Sequence, residues 1–339
     1  MFIKRVIGLI SLFVIIKGNA QENFDINNYL VLGVETAEDL ATLYLEPLSE
    51  GLLYGLTGAW NHTAEVKKPW SIDISLVGNG SFIPDEKLFQ EIDISEIDDL
   101  EVLGGGNQVR IPTILGSEES QVTFIATLND EEFIFDAPTG VGLFSTNLLP
   151  NAFLQASMGI PFNSEVSLRI FPKIEVSGAN LGVIGIGVKH ELTKSLRFLE
   201  NKPFCVAIFG AFTRLDADYS FQADGFVTGD SQRVDIYLNS WNVEALLSTK
   251  FPVWNLYGGF GYVNGDSNYA LLGNYVIETE QEVLQFTNPF DVQGRISGFK
   301  GNVGASVRWN RFKFNLDYTF QGFNNLALGL NYNLNKGKD

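Results

Sequence analysis

"RFKFNLDYTFQGFNNLALGLNYNLN", residues 311–335, decides how the chain is read. Phe312, Phe314, Leu316, Tyr318 and Phe320 alternate with Lys313, Asn315, Asp317 and Thr319. After a short polar break, Leu326, Leu328, Leu330, Tyr332 and Leu334 take one parity. Ala327, Gly329, Asn331 and Asn333 take the other. Successive side chains of a strand point to opposite faces. Each stretch therefore has one apolar, aromatic face and one polar face. In a soluble sandwich the apolar face meets a core and the polar face meets water. In a transmembrane barrel the apolar face meets lipid and the polar face meets a lumen.

The same pattern recurs upstream, at 70–78, 152–162, 164–176, 179–192, 203–215, 240–251, 253–263 and 298–310. With the two opening strands this gives about ten, each as long as a tilted membrane crossing requires. Their connections sort into two groups. Residues 163, 193–202, 252 and 310–311 are short or compact links, whereas the other group includes the long 79–151, 216–239 and 264–297 and two short links near 177–178 and 321–325. No long connection falls among the first group. Long loops at one end and short turns at the other are the pattern of bacterial barrels. The interval 79–151 contains an acid-rich run, 85–101, a glycine cluster at 104–106 and two strand-like pieces, 120–128 and 131–137. It reads as a structured outer loop whose hairpin extends or joins the barrel, so the expected strand count is 10–14.

The N-terminus reads as an address. Lys4 and Arg5 precede the apolar run 6–16, which is too short to span a bilayer, and Gly18–Ala20 supplies small residues for cleavage after Ala20. No cysteine follows the site, so no lipoprotein anchor is expected. Removal of Lys4, Arg5 and Lys17 takes the net charge from −17 to −20, which argues against nucleic acid as a partner. Residues 36–52 begin with a Thr36–Asp39 pair resembling a capping box, and Leu40, Leu43, Tyr44 and Leu48 follow at helical spacing. A short amphipathic helix ending around Pro47 is expected. The single cysteine, Cys205, reads as a small buried residue in a strand.

Catalytic chemistry has little support in the sequence. His62 and His190 are the only histidines, and no nucleophile elbow, zinc-spaced set or phosphate loop occurs. Gly-Asp-Ser at 229–231 and 265–267 falls in expected loops, where turn chemistry accounts for it. The acids Glu96, Asp98, Asp99 and Glu101 lack the spacing of a calcium loop and read as a solvated surface. No cofactor, metal or catalytic residue is expected.

The inward parity carries Asp73, Arg169, Lys173, Glu175, Lys189, Glu244, Lys300, Arg308, Lys313 and Asp317. An Arg or Lys facing lipid at mid-bilayer costs roughly 2–4 kcal/mol, so these charges belong in a lumen. Two readings stand. The charges brace the barrel as ion pairs or grip the N-terminal segment, or they line a path for an anionic or amphipathic solute.

Three stretches, 37–86, 158–174 and 182–212, resemble an uncharacterised family of Bacteroidota outer-membrane barrels, and the resemblance covers nearly the whole mature chain. It implies the fold and carries no activity. More distantly, a short plug ahead of a barrel is similar to FadL-type fatty-acid transporters, although their Asn-Pro-Ala signature near the mature N-terminus is missing here. That likeness implies passage of a hydrophobic solute.

The expected molecule is an all-β, transmembrane antiparallel barrel of about 10–14 strands with a short N-terminal helical plug. Residues 1–20 form a signal peptide, 21–68 the plug with Leu40, Leu43, Tyr44 and Leu48, and 69–335 the barrel. A ten-stranded barrel has little room for a helix, so either the barrel is larger or the helix sits below its mouth. The expected location is the outer membrane of a Gram-negative bacterium, as a monomer with outer-membrane lipid as its partner. The leading expected function is passive passage of a small solute, hydrophobic or anionic, through Arg169, Lys173, Lys189, Glu244, Lys300, Arg308, Lys313 and Asp317. The alternatives are a surface barrel whose outer loops bind a partner and, last, an outer-membrane hydrolase.

Overall fold

The computed structural model describes residues 25–140, 147–176, 179–196, 199, 202–222 and 225–335. The expected signal peptide lies outside the described residues. The alternating segments form a closed antiparallel barrel of ten strands. These are β1 (Ile72–Phe82), β7 (Leu148–Ile160), β8 (Ser164–Val176), β9 (Ala179–Glu191), β10 (Phe204–Ser220), β11 (Val227–Thr249), β12 (Trp254–Glu278), β14 (Phe290–Trp309), β15 (Phe312–Phe320) and β16 (Asn325–Asn333). Each strand pairs with its neighbours in chain order, and β1 closes the barrel against β16, with Leu76 opposite Leu330.

The tight turns gather at one end, here the lower end, where β1 starts and β16 finishes. Asn163 and Asn310 sit there at φ 53° and 55°, a left-handed conformation that asparagine tolerates better than most residues. The longer connections stand at the upper end. Between β1 and β7 the chain builds a cap from β2 (Phe89–Asp93) with β4 (Gln108–Pro112), and from β3 (Leu100–Val102), β5 (Thr123–Leu128) and β6 (Glu131–Asp136). The two strand-like pieces of this region thus form a separate sheet and do not join the barrel.

Two expectations change. The intervals 216–239 and 264–297 are largely strand, because β11 and β12 continue upward as a hairpin of 23 and 25 residues, with β13 (Val283–Thr287) paired to its tip. In the upper halves the alternation is inverted, with Val234, Leu238, Tyr269, Leu271 and Tyr275 buried on the inner face and Asp235, Asn239, Asp266 and Asn274 on the outer one, so the sheet extends without the outward apolar parity that marks the lower halves. Both Gly-Asp-Ser motifs therefore lie in strands. The helix, α1, runs Val34–Thr57, and Pro47 lies inside it. Proline removes the hydrogen bond to the carbonyl four residues back, here that of Leu43. Leu43 is on the exposed side of α1, where water can replace the lost donor.

Alternation sorts the wall cleanly. Ile186, Leu316 and Leu328 project outward and are about half exposed, as are most apolar residues of their parity. Arg169, Lys189, Glu244, Lys300 and Asp317 point inward and are buried.

Candidate functional site: the occupied lumen

The N-terminal segment threads the barrel from top to bottom. A 3-10 helix, Asp25–Leu32, packs beneath the cap, with the Tyr29 ring 6.3 Å from Phe124 and 6.1 Å from Phe135. α1 then descends. The Tyr44 hydroxyl donates to the Thr139 carbonyl at 2.6 Å, and the Ile114 amide donates to the Tyr44 carbonyl at 3.2 Å. Lys87 of the cap pairs with Glu50 at 2.8 Å. Burial opposes the charge of Lys87, but the hydrogen bond and charge of Glu50 outweigh it and hold this lysine above its ordinary range. Lower down, Tyr54 stacks on Phe323. After Thr57 the chain is extended, and it reaches the turns where the Trp70 amide donates to the Gly159 carbonyl at 2.7 Å.

Glycine makes the room. A Cβ on Gly55 would lie 2.5 Å from Asn151, so α1 approaches the wall there at backbone distance. On the facing wall, Gly185 and Gly187 seat the Trp60 indole, and Gly265 faces Leu53. Ten strands enclose a helix because, at these contacts, a glycine on one surface makes room for a side chain of the other. Trp60 also packs on Phe209, in a small apolar cluster that includes Cys205.

The grip on the segment is polar and centres on the end of α1. The last carbonyls of a helix have no intrahelical donor, and together they carry roughly half a negative charge. The last turn of α1 has no basic residue of its own. The barrel wall supplies the cations. Arg169 donates to the Leu56 and Gly58 carbonyls at 3.3 and 2.9 Å, and to Gln155 at 3.0 and 3.2 Å. Its guanidinium lies between the Trp60 ring at 3.9 Å and the Phe153 ring at 4.5 Å. Arg169 is fully buried and has no carboxylate in salt-bridge range among the described residues, so the helix end and two π faces stabilise its charge. Lys300 donates to the Thr57 carbonyl at 2.9 Å and pairs with Glu244 at 2.8 Å. Asn79 binds the Gly55 carbonyl at 2.7 Å.

A second set holds the extended part. Lys189 donates to the Thr63 carbonyl at 3.2 Å and pairs with Glu165 at 3.1 Å. Glu165 also pairs with Lys67 at 3.0 Å, and Glu191 accepts from the Val66 amide at 3.0 Å. Thr63 and Ala64 bond to Ser248.

The residues singled out from the sequence thus divide. Arg169, Lys189, Glu244 and Lys300 meet at the segment. Asp317 is buried in the wall, bonded to Asn302 and Thr319. Lys173 departs from the set. A register shift between Phe171 and Ile174 breaks the alternation, and Lys173 stands 60% exposed, paired with Asp218. Arg308 and Lys313 lie at the lower mouth. Of the apolar stripe on α1, Leu40 and Tyr44 are buried and Leu48 is half-buried, but Leu43 faces open space. His190 has its ring nitrogens 3.0 Å from the Ser164 hydroxyl and 3.1 Å from that of Ser195. No cluster of metal-ligating side chains occurs among the described residues. Trp60, Gln155, Phe153 and the wall glycines escaped notice in the sequence. Glycines at inward positions of an alternating strand were the available signal.

The model of one family matches residues 2–334. The chain belongs to the family of unknown function DUF6588. No curated protein matches this DUF6588 chain in sequence. Among solved structures it is similar to the attachment invasion locus protein Ail of Yersinia pestis, with 9% identity, TM-score 0.25, and 79% of this chain and 100% of that one covered. It is also similar to the translocator domain of the autotransporter NalP from Neisseria meningitidis, with 10% identity, TM-score 0.32, and 89% and 99% covered. The toluene transporter TodX of Pseudomonas putida follows, with 9% identity, TM-score 0.12, and 78% and 89% covered. These scores are low, and the architecture rests on the chain's own strand ladder.

Proposed function

We propose that the protein is an outer-membrane barrel held closed by its own N-terminal segment, and that a small solute passes when that segment shifts. The membrane reading rests on the belt of outward Leu, Ile, Val and Phe around a closed sheet, an area far larger than the apolar patches of soluble proteins. The single observation that carries the gating is the Arg169 grip on the Leu56 and Gly58 carbonyls. It ties closure to the end of α1, where Lys300 and Asn79 add further polar contacts. Along the wall beside the segment, the buried side-chain oxygens of Ser240, Ser267, Asn302 and Ser306 have no protein partner among the described residues, which suits a wet seam between plug and wall. The polar lining fits a small polar or anionic solute better than a hydrophobic one. Planar-bilayer recording tests the reading. The mature chain should be closed or nearly so, and deletion of residues 21–57 should raise single-channel conductance in a barrel that still shows heat-modifiable migration.

The second reading, a surface barrel whose cap binds a partner, draws on the cap itself. Residues 83–140 form two sheets of their own and carry fourteen acids against Lys87 and Arg110. A truncated barrel that folds but conducts no better than the intact one would make this the working function.

A further inference from the structure

The lower mouth has a charge opposite to that of the molecule. A cavity of about 900 Å³ opens there between the end of the N-terminal segment, the β7–β8 turn and the β14–β15 turn. Six cations line it, Lys67, Lys68, Lys194, Arg308, Arg311 and Lys313, together with His62, against only two acids, Glu65 and Asp73. The mature chain has twenty Lys and Arg in all and forty acids, so this grouping is not a sample of the average surface.

Three of the six are already engaged. Lys67 pairs with Glu165 and Asp73, Lys194 with Glu191, and Arg311 donates to the Tyr332 hydroxyl. Lys68, Arg308 and Lys313 form no salt bridge among the described residues. Arg308 and Lys313 come from the barrel wall and His62, Lys67 and Lys68 from the segment, so like charges face each other across the joint. Lys313, Lys67, Lys189 and Arg308 all lie within electrostatic range of His62. Asparagines also line it, and the amides of Asn331, Asn333 and Asn335 hold the rim together by donating to Lys313, Asn315, Ser71, Asp73 and Trp70. Converging cations are the chemistry of oxyanion recognition, and a cavity of this volume is larger than a single inorganic ion needs.

We propose that this mouth binds a small polyanion bearing phosphate or carboxylate groups, bridging Lys68 of the segment to Arg308 and Lys313 of the wall. The bound anion replaces repulsion across the joint with attraction, so its binding favours the docked segment. By linkage, docking favours the anion to the same degree. This coupling rests on the gating proposed above, whereas the site itself does not.

The test uses the full mature protein in detergent, with inorganic tripolyphosphate as the soluble probe. Calorimetric titration at low salt should show saturable binding that weakens as salt rises. The double variant Arg308→Gln/Lys313→Gln should lose at least tenfold in affinity, and Lys250→Gln, which lies outside the cavity, should lose none. Vesicles of phosphatidylglycerol distinguish the source. Competition between vesicles and tripolyphosphate for the wild type places a lipid headgroup in the site, whereas binding of tripolyphosphate alone points to a soluble anion. Unchanged affinity in a folded double variant, or no saturable binding of either probe, overturns the proposal. Retained binding without any fall in channel opening overturns only the coupling, and retained binding by a barrel whose segment proves not to gate would separate the site from the plug.

Discussion

Replacing Arg169 by methionine should open the barrel without unfolding it. The substitution keeps a long side chain between Trp60 and Phe153 and removes every donor. The Gly58 carbonyl and the Gln155 amide oxygen each lose Arg169, and the Leu56 carbonyl keeps only a 3.4 Å contact from Thr213. Each buried group left without a partner costs about 1–3 kcal/mol. Loss of the desolvated cation–π contact adds up to about 2 kcal/mol. Relief of the cost of burying an unpaired guanidinium works in the opposite direction. A net weakening of docking of about 3–4 kcal/mol results, which multiplies the open-to-closed ratio by roughly a hundred to a thousand at 1.4 kcal/mol per decade. The strand ladder of β8 is made by backbone groups and stays intact. Planar-bilayer open probability is the assay, with heat-modifiable migration as the control for folding. A folded Arg169→Met barrel that stays as closed as the wild type would refute the claim that this contact holds the segment.

Other perturbations probe the remaining joints. Gly187→Leu places a Cβ 2.9 Å from Phe209 and 3.2 Å from Trp60, and overpacking of about 1–3 kcal/mol should raise conductance in assembled protein. Normal closure would mean that Trp60 does not need its glycine seat. Leu316→Arg, on an outward position, should lower assembly yield by an amount equivalent to about 2–4 kcal/mol, while Leu316→Phe should be tolerated. Equal yields would deny a lipid-facing side. Because α1 enters from the loop end, Glu35→Cys in intact cells should react with a membrane-impermeant maleimide. Lys68→Cys should react only after the outer membrane is breached, and buried Cys205 should stay silent in both.

Period-two alternation survived translation into the fold because it is a local property of each strand. Leu316, Leu328 and Ile186 face out and Asp317, Lys313 and Arg169 face in, as their parity requires, and the failure at Lys173 marks a register shift that parity cannot anticipate. The length of α1 was hidden by Pro47, since proline signals a stop only where its orphaned carbonyl has nowhere else to turn. The tall β11–β12 hairpin was hidden because its upper half turns its apolar parity inward and its polar parity outward. The partners of Arg169 and Lys300 were illegible for a different reason. A sequence offers acids as the counter-charges of such cations, whereas Arg169 and Lys300 also bind backbone carbonyls, which every residue has and no sequence advertises.

The descent of the segment from cap to turns also sets an order of events during biogenesis. Residue 25 lies under the cap at the loop end, yet β1 begins at the turn end, and the sheet closes only when β1 finds β16, the last strand made. A helix with its N-terminal end already under the cap cannot be slipped past Arg169 and Phe153 of the wall once that seam has zipped. Residues 25–57 must therefore pass toward the cap end while the sheet is still an open ribbon curling around them. Any machine that inserts this barrel has to keep the β1–β16 edge apart until residues 25–57 have gone through.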